Sequence, residues 1–398
     1  MGNLPLAGIR VVEFTTGIVG PMLGRFLAEF GAEAIKVETR KRPDFSRGPA
    51  PDRINKGLSF SDNSRSKKGI SLNVTHPEGY RIIQELIRIS DVVVENFSAG
   101  TMGRLGLDYP RVKEFNSSII MISLQGLGAT ETHSVTFGQN IPPIVGLTYL
   151  WNHPDAAKPV GSQLFYPDYF AGIQGACAVL AALDYRRRTG RGQYIDAAQA
   201  EAAAALLGPY YLDCAVNGRV ARPMGNGSPV AAPHGCYRCA GADAWCVITV
   251  SNEVEWQSFC EVLGDPAWTR DSRFADMVCR VRNRIALNHY IQEWTLRHDP
   301  YEVMNRMQGA GVPAGVAQNI AQLAADPHLK ERGFILEVQH PEMGRTHHGG
   351  VPMKHSVTPA EVRSHAPLMG EHNTYVFREL LGLSSEEIQH LEELGVCE

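Results

Sequence analysis

One carboxylate draws notice by its position. Asp168 follows Gln163-Leu-Phe-Tyr-Pro167 and opens a run to Tyr185 that is apolar nearly all round. An Asp at the first position of a helix commonly caps it by accepting backbone N–H groups. A carboxylate there, beside backbone N–H groups and buried apolar walls, is held ionised, oriented and partly desolvated, as a carboxylate nucleophile requires. A second candidate is the pair Cys236 and Cys239 in His234-Gly-Cys-Tyr-Arg-Cys239. Structural zinc needs four ligands, and neither a second CxxC nor a spaced His pair follows. No metal is expected, and the eight thiols read as structural. A third is the trio Gly17, Gly20 and Gly24 with Glu38 beyond it. The acid sits where a dinucleotide fold places one, but the glycine spacing is not GxGxxG, which argues against nicotinamide binding. A helix N-terminus there still suits an anionic group.

These residues need a frame. Ile9 to Phe14, Ala34 to Glu38, Gly69 to Val74, Asp91 to Phe97 and Ser118 to Ser123 read as strands. Helical patterns at Pro21 to Phe30 and Pro77 to Ile89 separate them, each with Pro in its first turn. Strand–helix–strand order with continuous β-branched strands predicts a parallel sheet covered on both faces, an α/β fold. Tyr194 to Asp196 is a further short strand, and Gln199 to Leu212 one Ala-rich helix. Residues 1–205, completed by 330–398, form a large Rossmann-like domain, and 226–320 a smaller α+β domain. Linkers are expected at 206–225 and 321–329.

Composition bounds the function. The 398 residues are 44% hydrophobic and 20% charged, with 38 basic and 42 acidic side chains. Such a chain folds rather than staying disordered, and its charge balance points away from nucleic acid. The Ala-rich runs are interrupted by Asp184 and Glu201 and fall short of the ~18 apolar residues of a membrane span. Met1-Gly-Asn-Leu-Pro5 lacks the basic and apolar regions of a signal peptide, and Leu6 argues against myristoylation. A cytoplasmic enzyme is the expectation.

Several runs, in order, are similar to class III CoA-transferases of the formyl-CoA and carnitine-CoA type. They include Leu6-Ala-Gly-Ile-Arg-Val-Val-Glu-Phe14, Phe30-Gly-Ala-Glu-Ala-Ile-Lys-Val-Glu38 and Ser66-Lys-Lys-Gly-Ile-Ser-Leu-Asn73. Further on come Asp91-Val-Val-Val-Glu-Asn-Phe97, Arg187-Arg-Thr-Gly-Arg-Gly-Gln193, Asp326-Pro-His-Leu329 and Pro367-Leu-Met-Gly-Glu-His372. The resemblance implies that Asp168 is a nucleophile, attacking an acyl-CoA thioester to give an aspartyl anhydride and then an aspartyl-CoA thioester. Coenzyme A would enter as a thioester substrate, with no permanently bound cofactor. Asn96, Phe97 and Arg104 carry over as CoA-binding residues, with Arg104 facing phosphate, Leu72 beside adenine, and Ile18 and Lys68 at further contact positions. Gln139 stands at a substrate position. Gly225 and Gly227, in Gly225-Asn-Gly-Ser228, match the glycine loop that shields the anhydride from water. Thr39 and Thr75 replace basic residues of some relatives, and Ile18 a Gln of the formyl-CoA type, which disfavours oxalate and formate as substrates.

The resemblance implies a dimer of two interlocked ring-like chains, either a homodimer or a heteromer with a related subunit. Succinyl-CoA is the expected donor. Tyr149, Trp151, Phe165, Tyr166 and Tyr169 cluster in sequence about the nucleophile and suggest an aryl- or alkyl-substituted succinate as acceptor. Two other readings compete. The same fold supports α-methylacyl-CoA racemases, but Gln139 stands where their His would fall, and Gln cannot take and return a proton; His133 is nearby in sequence. A non-catalytic subunit would be expected to lack Asp168.

Overall fold

A computed structural model of the chain describes residues 4–48, 50–130, 136–162 and 164–397. They divide into two compact units. Met1–Thr148, Gly161–Arg219 and Arg332–Glu398 make the larger, and Tyr149–Val160 with Val220–Glu331 the smaller.

The larger unit is built on six parallel strands: β1 (Arg10–Phe14), β2 (Glu33–Glu38), β3 (Lys68–Ser71), β4 (Val92–Glu95), β5 (Ile120–Gln125) and β6 (Tyr194–Ala198). Their order is β3-β2-β1-β4-β5-β6, so strand order reverses between β1 and β4. Ligands of such sheets bind outside the carboxyl ends of the strands at that reversal. Both faces are covered, because neighbours along a strand point to opposite sides. Val12, Ile35 and Val93 pack with Ile83, Leu86 and Phe377, whereas Val11 and Val94 pack with Leu23, Leu27 and Val179. The C-terminal segment returns to this unit and covers the β3 edge: Ser71 N–H donates to Asn373 Oδ1 (2.9 Å) and Asn73 N–H to the Val396 carbonyl (2.7 Å). An otherwise bare strand edge is thereby closed.

The smaller unit carries an antiparallel sheet of β7 (His234–Arg238), β8 (Trp245–Thr249) and β9 (Ala314–Val316). Phe259, Phe274, Leu287 and Val303 pack against it from helices and turns around it. Cys236 and Cys239 are free thiols on and just after β7, and no metal-binding cluster of three or more His, Cys, Asp or Glu occurs among the described residues.

Three expectations are corrected. The Ala-rich helix splits into Gln199–Ala205 and Gly208–Asn217, because Pro209 can open a helix but cannot continue one. The supposed linker 206–225 contains the helix Gly208–Asn217, and 321–329 holds most of Ile320–Ala325 and the start of Pro327–Glu331. Residues 149–160 group with the smaller unit, where Gly225 N–H donates to the Asn152 carbonyl (3.0 Å). No helix among the described residues is long and apolar enough to cross a membrane.

Candidate active site

The loops after β1 and β4 are tied together at the strand reversal. Thr16 N–H donates to Asn96 Oδ1 (2.8 Å), and Asn96 Nδ2 donates to the Thr16 carbonyl (2.8 Å). Asp44 fixes the first loop from the other side. Its Oδ1 accepts from Gly17 N–H (2.9 Å), Thr16 Oγ1 (3.2 Å) and the backbone and hydroxyl of Ser46. Asp44 pairs in turn with the buried Lys36 ammonium at 3.0 Å. Burial would raise the Asp44 carboxyl, but Lys36 and the N–H groups of Gly17 and Ser46 bring it below the ordinary range. Burial alone would lower Lys36; Asp44, Glu38 and Glu13 around it raise it instead.

The three glycines of this turn serve the protein's own packing. Gly17 has φ +75°, a left-handed value that a side chain resists. A Cβ on Gly20 would lie 2.6 Å from Thr15 Cγ2, and one on Gly24 would lie 1.9 Å from Glu13 Oε2. Glu13 is buried against Lys67 at 2.7 Å, and Glu38 against Arg47 at 2.7 Å. Glu38 is thus committed to a guanidinium, so no ribose-binding acid stands at this place.

Two cavities open here within the larger unit. The first, ≈ 680 Å³, is lined by Leu72, Phe97, Thr101 and Leu105, with Thr39, Asn73 and Thr75 among its polar residues and Arg40, Lys41 and Arg42 on one wall. The second, ≈ 360 Å³, contains Asp168, Gln139, Gln125 and Gln199 among Ile18, Phe45, Phe137 and Phe165. Thr16, Phe97 and Ser98 line both, so the cavities meet at the tied loops.

Asp168 is the third residue of the helix Tyr166–Thr189, not the first, and Phe165 precedes the helix without any side-chain cap. Pro167 occupies the preceding position, where its missing N–H costs no helical bond. The carboxylate therefore does not cap. It is 7% exposed, and its Oδ2 has no hydrogen-bond partner. Burial pushes its carboxyl up from 3.8 to about 6, with its own backbone N–H working the other way. Gly138 makes room for it: a Cβ there would lie 2.0 Å from Asp168 Oδ2. The helix is buried on one face only, through Ala171, Gly175, Ala176, Val179 and Ala182. Ile173, Cys177 and Leu180 lie exposed on the other.

The structure therefore gathers Asp168, Gln139, Ile18 and Asn96 around one cavity, Leu72 on the other, and Phe97 between them. Arg104 is exposed and donates from Nη2 to Thr101 Oγ1 (2.8 Å), on the rim of the larger cavity. Lys68 is elsewhere: it lies in β3, lines neither cavity, and holds its ammonium 3.9 Å from the Tyr375 ring centre. Gly225 and Gly227 belong to the smaller unit, Gly225 packing beside His153. Of the five aromatic residues expected near the nucleophile, Phe165 lines its cavity, while Tyr149 and Trp151 belong to the smaller unit. His133 lies outside the described residues, and no His lines the Asp168 cavity among those described. Asp44, Gly138, Glu95 and Gln125 were not foreseen. Gly138 alone had a local signal, beside Gln139; the others act through partners distant in sequence.

The Rossmann-type sheet thus holds, in a cavity at its strand reversal, a buried carboxylate with one oxygen unpartnered. Residues 6–373 match the model of CoA-transferase family III, and the chain belongs to that family. It is 31% identical over 394 residues to a succinyl-CoA–L-malate CoA-transferase beta subunit of Chloroflexus aurantiacus, covering 98% of this chain and 97% of that one. It is 30% identical over 404 residues to a probable CoA-transferase of Mycobacterium tuberculosis, of which the match spans only 50% while covering 98% of this chain. Among solved structures, a CAIB/BAIF family protein from Brucella suis superposes with a TM-score of 0.87 at 29% identity, covering 95% of this chain and 100% of that one.

Proposed function

We propose that the protein moves coenzyme A from an acyl-CoA, with succinyl-CoA as donor, to an acceptor carboxylic acid, and that Asp168 is the nucleophile. The observation that carries this reading is the buried Asp168 carboxylate, its Oδ2 without a partner, in a cavity that meets a second, larger one. The larger cavity suits the nucleotide, with Leu72 against the base and Arg104 and the wall of Arg40, Lys41 and Arg42 offering cations to its phosphates. The pantetheine arm would then pass Thr16, Phe97 and Ser98 and set its thioester before Asp168.

Asp168 attacks the succinyl carbonyl, forming the mixed anhydride and releasing CoA thiolate. The thiolate attacks the aspartyl carbonyl, so succinate leaves and an aspartyl-CoA thioester remains. The acceptor carboxylate displaces thiolate from that thioester, and the thiolate then takes the acceptor's acyl group, which returns Asp168 as a carboxylate. Overall one thioester is exchanged for another of similar energy, so no nucleotide hydrolysis is needed, and covalent catalysis divides the exchange into accessible steps. Phe45, Phe97, Phe137 and Phe165 give the smaller cavity apolar walls, which favour an acceptor with a bulky aryl or alkyl substituent, such as a substituted succinate.

The test is intact-mass measurement after mixing with succinyl-CoA and then hydroxylamine. A succinyl or CoA adduct that maps to Asp168 and is lost in Asp168→Ala is the expected result. No adduct, together with exchange of the α-proton of a 2-methylacyl-CoA in heavy water, would move the assignment to a racemase. Turnover of oxalate and formate alone would remove the bulky acceptor.

A further inference from the structure

Gln125, the last residue of β5, lines the Asp168 cavity, and its Nε2 donates to Glu95 Oε1 at 3.2 Å. Its own Oε1 is buried without a donor. An unpaired buried acceptor costs about 1–3 kcal/mol, so this orientation of the amide is not its best one unless something else holds it. What holds it is Glu95, the last residue of β4, 1% exposed. Glu95 Oε2 accepts from Phe97 N–H at 2.9 Å, and the Ser123 hydroxyl also bonds the carboxylate. The titratable groups that face it are Asp196 and Tyr194, both from β6, and neither is a cation. Burial raises the Glu95 carboxyl to about 7, against the bonds from Ser123, Phe97 and Gln125 and with some help from Asp196. Because Phe97 N–H occupies Oε2, a proton on Glu95 belongs on Oε1, facing Gln125. A protonated Oε1 cannot accept from Nε2, but it can donate to an amide oxygen, which requires the Gln125 amide to turn through half a rotation.

We propose that Glu95 is a positioning residue for the transfer reaction: as a carboxylic acid it donates to Gln125 Oε1 and turns the Gln125 NH2 group to the Asp168 cavity, where that group stabilises the oxyanion of each tetrahedral intermediate. As a carboxylate it holds Nε2 and leaves the buried amide oxygen without a donor, so the amide has no N–H free for a developing negative charge. The inference rests on the CoA-transferase reading above. It requires opposite protonation states in the two acids, Asp168 ionised and Glu95 neutral, an arrangement that produces a bell-shaped pH profile.

The test is exchange of CoA between succinyl-CoA and isotopically labelled succinate, which needs no knowledge of the natural acceptor. In the unmodified protein kcat should rise with pH as Asp168 ionises about 6 and fall as Glu95 ionises about 7. Glu95→Gln, whose amide donates at every pH, should lose the alkaline limb, keep the acid limb, and hold KM for succinyl-CoA within about twofold, because ground-state binding is untouched. Gln125→Met should lower kcat by ~10²–10³, the usual loss of one oxyanion donor, and flatten the same limb. An alkaline limb that survives in Glu95→Gln overturns the proposal; if that variant does not fold, its survival in Gln125→Met does so. Adduct formation at Asp168 is read separately by mass. Its absence from the unmodified protein counts against the transferase reading, and an adduct with an unchanged alkaline limb counts against Glu95 alone.

Discussion

A carboxylate that is to attack carbon must keep one oxygen free of donors, and Asp168 is kept so by what is missing beside it. At the third position of the helix only its own backbone N–H reaches the carboxylate, and Gly138 sets no side chain against the unpartnered Oδ2. The bareness has a thermodynamic consequence. With its carboxyl raised from 3.8 to about 6, folded Asp168 retains a proton that the unfolded chain releases across that window. Stability therefore declines as pH rises from about 4 to 6 and is flat above. The total is about 3 kcal/mol, since each tenfold change in proton affinity is worth about 1.4 kcal/mol. Asp168→Asn should be the more stable protein above pH 6, by up to that amount, with the advantage vanishing near pH 4; urea midpoints across this range check it. A constant difference at every pH would mean that burial of the charge is not the cause. Gly138→Ala asks the complementary question, since its Cβ would lie 2.0 Å from Oδ2. It should fold normally yet lower kcat by ~10²-fold, because displacing a reacting group by about 1 Å costs that much. Succinyl-CoA exchange on the folded variant measures it.

The strands were readable because a sheet buried on both faces writes itself as continuous apolar runs such as Val92-Val-Val94. The helix start at Pro77 was readable for a similarly local reason, whereas the helix expected to open at Asp168 begins two residues earlier, at Tyr166. The alanine-rich composition of Gln199 to Leu212 favours one long helix, but Pro209 can only open a helix, so the segment divides there. The turn of Phe45–Arg47 was invisible for another reason. Asp44 caps it while also holding Gly17, 27 residues earlier, and no local pattern encodes such a contact. This turn is what fixes the loop shared by both cavities. Asp44→Ala should remove the loop's anchor and also strand the Lys36 ammonium, whose side chain is 0% exposed. Losing one partner of a buried pair costs about 3–5 kcal/mol. Urea unfolding should show a loss of that size, and KM for succinyl-CoA should rise in whatever fraction remains folded. A loss below about 1 kcal/mol, the value of an exposed pair, would mean that solvent reaches Lys36.

The larger unit is unfinished as a solitary surface. The helix Gly208–Asn217 has no buried residue, and it leaves Tyr210, Tyr211 and Leu212 50%, 56% and 65% exposed. In the same unit the outer face of the helix Tyr166–Thr189 carries Ile173 and Leu180, each 37% exposed. A helix with no packed face has little to hold it in water, since helical stability in proteins comes chiefly from packing. Contiguous exposed apolar side chains of this kind mark association surfaces. We therefore expect a second chain to cover them, and the interlocked dimer implied by the family resemblance is the arrangement proposed. Light scattering during size-exclusion should give twice 43.7 kDa, with no folded monomer on dilution, because interlocked chains separate only by unfolding. Tyr211→Lys with Leu212→Lys should abolish soluble dimer, whereas a folded, monomeric and active double variant would leave the exposed helix without a role. The beta-subunit relative adds one further arm. A stable homodimer that forms no Asp168 adduct with succinyl-CoA would assign the second place in the pair to a different, related chain. An adduct formed by the homodimer would make that partner unnecessary for the chemical step.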